Sequence, residues 1–164
     1  MTSELDNFLS NDDERRKKQQ QADTVAEYER RQKTRAFGDA FQKAFSQIIH
    51  PAMVNVLDKL RKREYAARVI HDKLKIPSPY PCENYYIAVP GTEKYFIISV
   101  IGNHDLQKVC IETEYMEHFF ENGVDKPKQL KKTEGKYDLT QLTPELFESL
   151  VINAIKEIMP ITIE

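Results

Sequence analysis

The chain has 164 residues and a formal net charge of -2, with 40% hydrophobic and 30% charged residues. This length suits one compact domain with an extension, and the near-neutral charge is not typical of dedicated nucleic-acid binders. With five glycines and no run of about 18 apolar residues, the chain disfavours glycine-rich phosphate loops and membrane-spanning helices.

The first 36 residues are polar and carry acidic and basic side chains in equal number. They lack the basic start and apolar stretch of an export signal, so we expect a cytoplasmic protein. Good helix formers dominate residues 12–35, but the apolar trio Leu5, Phe8 and Leu9 is not continued as a stripe. We predict that residues 1–36 form a charged flexible or helical extension, in which residues 1–10 are flexible and residues 12–35 form a nascent or exposed helix.

A single α+β domain is predicted over residues 37–164, beginning with a helical region at 37–64. Apolar residues recur there at spacings of three and four, which indicates one wide apolar helix face. Pro51 predicts a kink or two stacked helices. Because this face is wider than one small sheet can cover, we predict a homodimer with an interface at Phe37, Phe41, Phe45, Ile48, Met53 and Leu57.

The centre of the chain, from about residue 66 to 120, predicts an antiparallel β-meander of about three to five strands. Apolar and polar residues alternate along 107–115, which indicates one buried and one solvent-exposed strand face. The predicted exposed face carries Lys108, Cys110, Glu112 and Glu114. The proline-rich stretch 77–81 predicts an extended connector. Asn122-Gly123 marks a turn or loop, and the lysine-rich residues 125–136 fit a loop or an edge segment.

The last predicted element is a helix over residues 144–159 that packs on one face of the sheet. Thr143 is its expected N-cap, Pro144 suits its first turn and Pro160 ends it. A short strand at 161–163 is predicted to follow. The fold class is therefore α+β, with N-terminal helices, a central antiparallel meander and a C-terminal helix.

Residues with catalytic or ligating chemistry are sparse. The two cysteines are expected to be reduced thiols, and the four histidines stand too far apart for a zinc motif. Glu112 and Glu114 share one strand face, which fits either a solvated surface or, together with Asp105, a divalent-metal enzyme site. We assign no catalytic, cofactor-binding or metal-ligating residue and favour a protein that is not an enzyme.

Two functions follow from these patterns. The favoured one is a protein–protein interaction or assembly protein that self-associates through the 37–64 helix. The alternative is a nucleic-acid-associated protein that uses the basic segments 15–18, 30–35, 61–63 and 126–136. Its candidate contacts are Arg61, Lys62, Arg63, Lys131 and Lys132.

Overall fold

A computed structural model describes residues 3–70, 82–103 and 105–159. The helices are α1 (Glu4–Ala44), α2 (His50–Arg61) and α3 (Pro144–Ile158), with a π-helical turn at Phe45–Ile49 and a 3-10 turn at Leu139–Gln141. The strands are β1 (Ala66–Ile70), β2 (Glu83–Ala88), β3 (Lys94–Asn103), β4 (Lys108–Glu121) and β5 (Val124–Tyr137). The predicted connector at 77–81 and terminal strand at 161–163 lie outside the described residues.

The predicted α+β class is confirmed, since a long N-terminal helix, a five-stranded antiparallel sheet and a C-terminal helix are all present. The chain divides into two compact units, Met1–Phe37 and Gly38–Glu164. The first unit is helical and exposed over most of its length, and the second contains the sheet and its core. No helix in the described part of the chain is long and apolar enough to cross a membrane.

The start of α1 corrects the prediction of a flexible segment at residues 1–10. Ser3 Oγ accepts a hydrogen bond from the Asp6 backbone N–H at 3.1 Å, and the Asp6 carboxylate accepts from the Ser3 N–H and hydroxyl. This reciprocal cap satisfies backbone donors that a helix start otherwise leaves unpaired, so α1 begins at Glu4. The same hydrogen bonds from Ser3 lower the pKa of Asp6.

The helical region at 37–64 contains two α-helical segments joined by the π-helical turn. The backbone N–H of His50 donates to the Phe45 carbonyl, five residues earlier, and Pro51 then occupies the first turn of α2. Ile49, just before α2, is itself helical with φ -66° and ψ -59°, so Pro51 lies within a continuous helical path and removes one backbone N–H from it. The π-helical turn thus accommodates the proline that the sequence predicted would kink or divide the helix.

The sheet order is β1-β2-β3-β4-β5, and every neighbouring pair is antiparallel. It extends to Tyr137, which corrects the predicted limit near residue 120 and makes the lysine-rich segment an edge strand. Asn122 and Gly123 both have positive φ, at 53° and 77°, and join β4 to β5 in a two-residue hairpin. Turns of this kind match the twist of the flanking strands, so β5 pairs along nearly all of β4.

The hydrophobic core lies between the helices and the sheet face that we call the first face. Its fully buried side chains include Phe41, Ile49, Met53, Leu57, Tyr85, Ile87, Phe96, Ile98, Val100, Val109, Phe147 and Val151. Helix α3 contacts α2, the π-helical turn and β3, so it packs on the sheet as the sequence predicted. The Thr143 hydroxyl accepts a hydrogen bond from the Leu146 N–H at 3.2 Å, which confirms the predicted N-cap.

The opposite face of the sheet, which we call the second face, is only partly exposed to solvent. This corrects the prediction that one face is solvent-exposed throughout. Asn84 is 1% exposed and Ser99 is 4% exposed, and the Ser99 hydroxyl donates to the Asn84 side-chain oxygen. Ile97 and Cys110 on this face are buried as well. Neighbouring side chains in the middle strands cover one another, and the buried polar pair is satisfied internally.

Candidate functional site

The predicted self-association residues contribute mainly to the core of their own chain. Phe41, Met53 and Leu57 are at most 1% exposed, and Phe37 is also buried. Phe45 and Ile48 are half-buried. The side chains of Phe41, Met53 and Leu57 can contact a second copy only if the core opens, whereas Phe45 and Ile48 are partly accessible in the folded chain.

The basic candidates for nucleic-acid contact are largely occupied by protein partners. Arg61 pairs with Asp58 at 2.9 Å and donates from Nε to the Ala67 carbonyl oxygen at 2.7 Å. Lys131 pairs with Glu157 at 2.7 Å, and Lys132 pairs with Glu112 at 3.4 Å. Lys62 and Arg63, at the end of α2, are exposed.

These basic groups also do not converge. Arg61 lies beside β1, and Lys131 and Lys132 lie on β5, at opposite edges of the five-stranded sheet. Four strand spacings of about 4.8 Å separate the two edges by about 19 Å. The structure therefore does not assemble the predicted contacts into one phosphate-binding surface.

The carboxylate pair on β4 is similarly engaged. Glu112 lies opposite Ser99 and Glu134 in the sheet register and forms its ion pair with Lys132. Asp105 lies in the turn between β3 and β4 and is exposed. Within residues 3–70, 82–103 and 105–159, no group of three or more His, Cys, Asp or Glu side chains is placed to hold a metal ion.

Sequence reasoning missed a cluster of titratable side chains where α2 meets the sheet. The hydroxyl of Tyr85, which is fully buried, donates to Glu83 Oε2 at 2.7 Å. Nδ1 of His50 lies 2.8 Å from the same oxygen. The only sequence signal was a histidine inside an apolar helix face, because the partners are 33 residues apart and only folding brings them together.

Burial and hydrogen bonding raise the pKa of the Tyr85 hydroxyl, and burial also raises the pKa of the nearby Cys82 thiol, so both groups stay protonated at neutral pH. Burial is the main cause that raises the pKa of the Cys82 thiol to about 11, and the negative charges of Glu112 and Glu83 add to it. The thiol donates to the Val100 carbonyl oxygen at 2.9 Å. Because the thiolate is the nucleophilic form of cysteine, this environment is the opposite of the one an activated cysteine requires.

The buried tyrosine predicts a specific loss of stability at alkaline pH. Burial, and then the hydrogen bond to Glu83, raise the pKa of Tyr85 above that of an unfolded tyrosine, which is about 10. This stabilisation is complete below about pH 10 and is lost as the pH rises further, by up to about 1.4 kcal/mol per pH unit. We expect Tyr85→Phe to give a shallower decline in the free energy of unfolding, measured by denaturant titration at several alkaline pH values.

A matched control is Tyr28→Phe, because the Tyr28 side chain is 64% exposed on α1. Its slope should equal that of the wild type. If Tyr85→Phe and wild type declined equally with pH, another group would be responsible for the alkaline loss.

The second face of the sheet carries a row of aromatic and imidazole rings that contact one another. The ring centroids of Tyr86 and Tyr95 are 4.9 Å apart, and those of Tyr95 and His118 are 4.5 Å apart. The Arg68 guanidinium lies 5.0 Å from the Tyr86 centroid, and Asp125 contacts His118 Nδ1 at 3.0 Å. The rings pack against one another at interplanar angles of 36° and 31°, and Tyr95 between them is buried, so these contacts stabilise the sheet.

One cluster of exposed apolar side chains lies on the first turns of α1. Leu5, Phe8 and Leu9 are 64%, 65% and 48% exposed. We call these three residues the α1 patch. Their spacing of three and four places them on one side of the helix. Large apolar side chains clustered in this way on a surface often mark an interaction site.

Comparisons with protein-family models, curated proteins and solved structures found no match to this chain.

Proposed function

We propose that this chain is a non-enzymatic protein-interaction or assembly protein whose α1 patch is a binding surface. The observation that carries the proposal is the exposure of Leu5, Phe8 and Leu9 on one side of a capped helix. Burying such side chains against a partner is favourable by roughly 25 cal/mol for each Å² of apolar surface removed from water. A helix with a local apolar side is a common ligand for grooves on other proteins.

The charged side chains near the α1 patch indicate which kind of partner surface would bind it. Residues 4–14 contain five carboxylates and no lysine or arginine. The Asp12 carboxylate is paired with Arg15 and Arg16, and Glu4 and Asp6 lie in the first turn of the helix, next to Leu5 in sequence. An apolar groove with a basic rim is the surface that complements this helix end.

Self-association remains the first case to test, since the sequence predicts it. The burial of Phe41, Met53 and Leu57 argues that an assembly of folded chains uses exposed side chains rather than the 37–64 stripe. The α1 patch is an exposed apolar cluster that meets this condition.

The test is the mass of the full-length protein by size-exclusion chromatography with light scattering. We expect about twice 19.2 kDa for the wild type at high concentration, and a monomer for the variant Leu5→Ser/Phe8→Ser/Leu9→Ser. The variant Val25→Ser/Tyr28→Ser is the control, because it removes exposed apolar side chains elsewhere on the same helix. It should assemble as the wild type does.

Other results of this experiment would contradict a part of the proposal or support the alternative function. A wild-type monomer at every concentration would overturn self-association and leave only a different protein as the partner. Assembly that survives in the triple variant would overturn the role of the α1 patch. Co-elution of material absorbing at 260 nm, removed steeply by salt, would support the nucleic-acid alternative.

A further inference from the structure

Strand β5 forms one edge of the sheet and is exposed along most of its length. It pairs with β4 on one side, and no strand among the described residues pairs with its other side. An edge strand of this length presents backbone N–H and C=O groups to other polypeptides. The backbone groups that point away from β4 are the ones that another strand can bind.

The hydrogen-bond pattern of the sheet identifies the outward residues. The His118 N–H donates to the Glu93 carbonyl at 2.8 Å, so even-numbered residues of β4 bond to β3 and odd-numbered residues bond to β5. In the register of β4 with β5, Thr133 and Gly135 lie opposite odd-numbered residues. The backbone groups of Lys132, Glu134 and Lys136 therefore point away from the sheet.

The other edge of the sheet supports this assignment. The Val89 N–H donates to the Lys94 carbonyl, and the same alternation then makes Ala67 of β1 an outward residue. The Ala67 carbonyl oxygen indeed accepts a hydrogen bond from Arg61 Nε. At Ala67 the β1 edge is thus capped by a side chain.

Two features limit the usable part of β5. The register shifts at Leu130, because Gln129 lies opposite Met116 whereas Lys131 lies opposite Tyr115. Before this bulge, Pro127 points outward and has no N–H to donate. The regular stretch from Lys131 to Tyr137, which we call the β5 edge, offers three outward residues, each with one donor and one acceptor.

Charge determines the kind of segment that the β5 edge fits. Strand β5 contains five lysines against Asp125 and Glu134. Lys128 and Lys136 have no ion-pair partner among the described residues. Antiparallel pairing with a second copy would bring two lysine-rich strands together, and like charges directly opposite one another are destabilising. An acidic strand has the complementary charge.

We propose that the β5 edge binds an extended acidic segment of a partner protein, which joins the sheet as a sixth strand. Backbone hydrogen bonds to Lys132, Glu134 and Lys136 would hold the segment, and Lys136 would select its carboxylates, because Lys131 and Lys132 already pair with Glu157 and Glu112. This inference rests on the proposed role in protein interaction but uses a surface separate from the α1 patch.

The test measures binding of a fluorescein-labelled seven-residue peptide of alternating Glu and Val to the full-length protein by fluorescence anisotropy. We expect saturable binding that weakens as salt rises from about 0.05 M to about 0.5 M, and no binding of the corresponding Lys and Val peptide. Hydrogen exchange at the amides of Lys132, Glu134 and Lys136 should slow when the acidic peptide is added. The amides of Thr133 and Gly135 already bond to β4 and should change little.

The decisive variant is Glu134→Pro, which removes one outward N–H and leaves the hydrogen bonds to β4 in place. We expect binding to weaken at least about tenfold. Glu134→Gln is the matched control, because it retains the N–H and removes only the negative charge, and it should bind as tightly as the wild type or more tightly. If Glu134→Pro fails to fold, Lys136→Glu tests the charge requirement and should weaken binding with the fold intact.

Several results would overturn the proposal. These are equal affinity for the acidic and basic peptides, unchanged affinity in Glu134→Pro, no binding of the acidic peptide, or unchanged exchange at the three outward amides. Slow exchange at those amides in a peptide-free dimer would identify a second copy as the occupant instead. The Leu5→Ser/Phe8→Ser/Leu9→Ser variant should bind the peptide normally, so failure of the α1 patch and failure of the β5 edge are distinguishable.

Discussion

Replacing Phe41 with alanine is expected to lower the free energy of unfolding by about 3–5 kcal/mol. The ring is fully buried and lies over Gly102 of β3, where an added Cβ would sit 3.1 Å from the ring Cδ1. Truncation leaves a cavity between helix and sheet that neighbouring side chains fill only in part. Denaturant titration followed by circular dichroism measures the change.

Phe120→Ala is the matched control for this prediction. The Phe120 side chain is 61% exposed beside the β4–β5 turn, so its truncation should change stability by no more than about 0.5 kcal/mol. Equal losses in the two variants would contradict the packing of Phe41. A fully stable Phe41→Ala protein that no longer self-associates would restore the interface that the sequence predicted at 37–64.

Replacing Glu83 with alanine is expected to lower the free energy of unfolding by about 1–3 kcal/mol. The Tyr85 hydroxyl would then stay buried without its acceptor, and His50 would lose its carboxylate partner. The same denaturant titration measures the loss at neutral pH.

A double-mutant cycle separates this hydrogen bond from other effects of the substitution. Once Tyr85→Phe has removed the hydroxyl, Glu83→Ala should cost less, with a coupling of about 0.5 kcal/mol or more. Glu121→Ala is the control, because its carboxylate pairs with Lys126 on the exposed hairpin. Strictly additive losses for Glu83 and Tyr85 would show that their hydrogen bond does not contribute to stability.

Local patterns predicted most of the secondary structure. The cap and proline of α3 fixed its start, and the alternation along 107–115 indicated the strand that begins β4. Two further local signals in the sequence indicate structure that was not predicted from them. Ser3 followed by Asp6 is a capping pattern that starts α1, and Asn122-Gly123 is a hairpin signal that continues the sheet into lysine-rich β5.

Long-range pairing could not be predicted from periodicity. A wide apolar face on 37–64 is equally consistent with a dimer and with coverage by α3 and the sheet, because periodicity gives the buried face and not its partner. The cluster of Glu83, His50 and Tyr85 likewise forms only when α2 meets β2. The open groups of the β5 edge depend on strand order, which no single strand encodes.

The strand order has a consequence for how the chain folds. Each strand pairs with its neighbour in sequence, and three of the four connections have five residues or fewer. Closing such short loops loses little chain entropy, so the meander can form by successive hairpin zipping from the Asn122-Gly123 turn. The docking of α3 against α2 is different, because it closes a loop that contains the whole sheet. We therefore expect refolding to be limited by this final helix–helix contact, with sheet hydrogen bonds forming before the tertiary packing of Phe147 is complete.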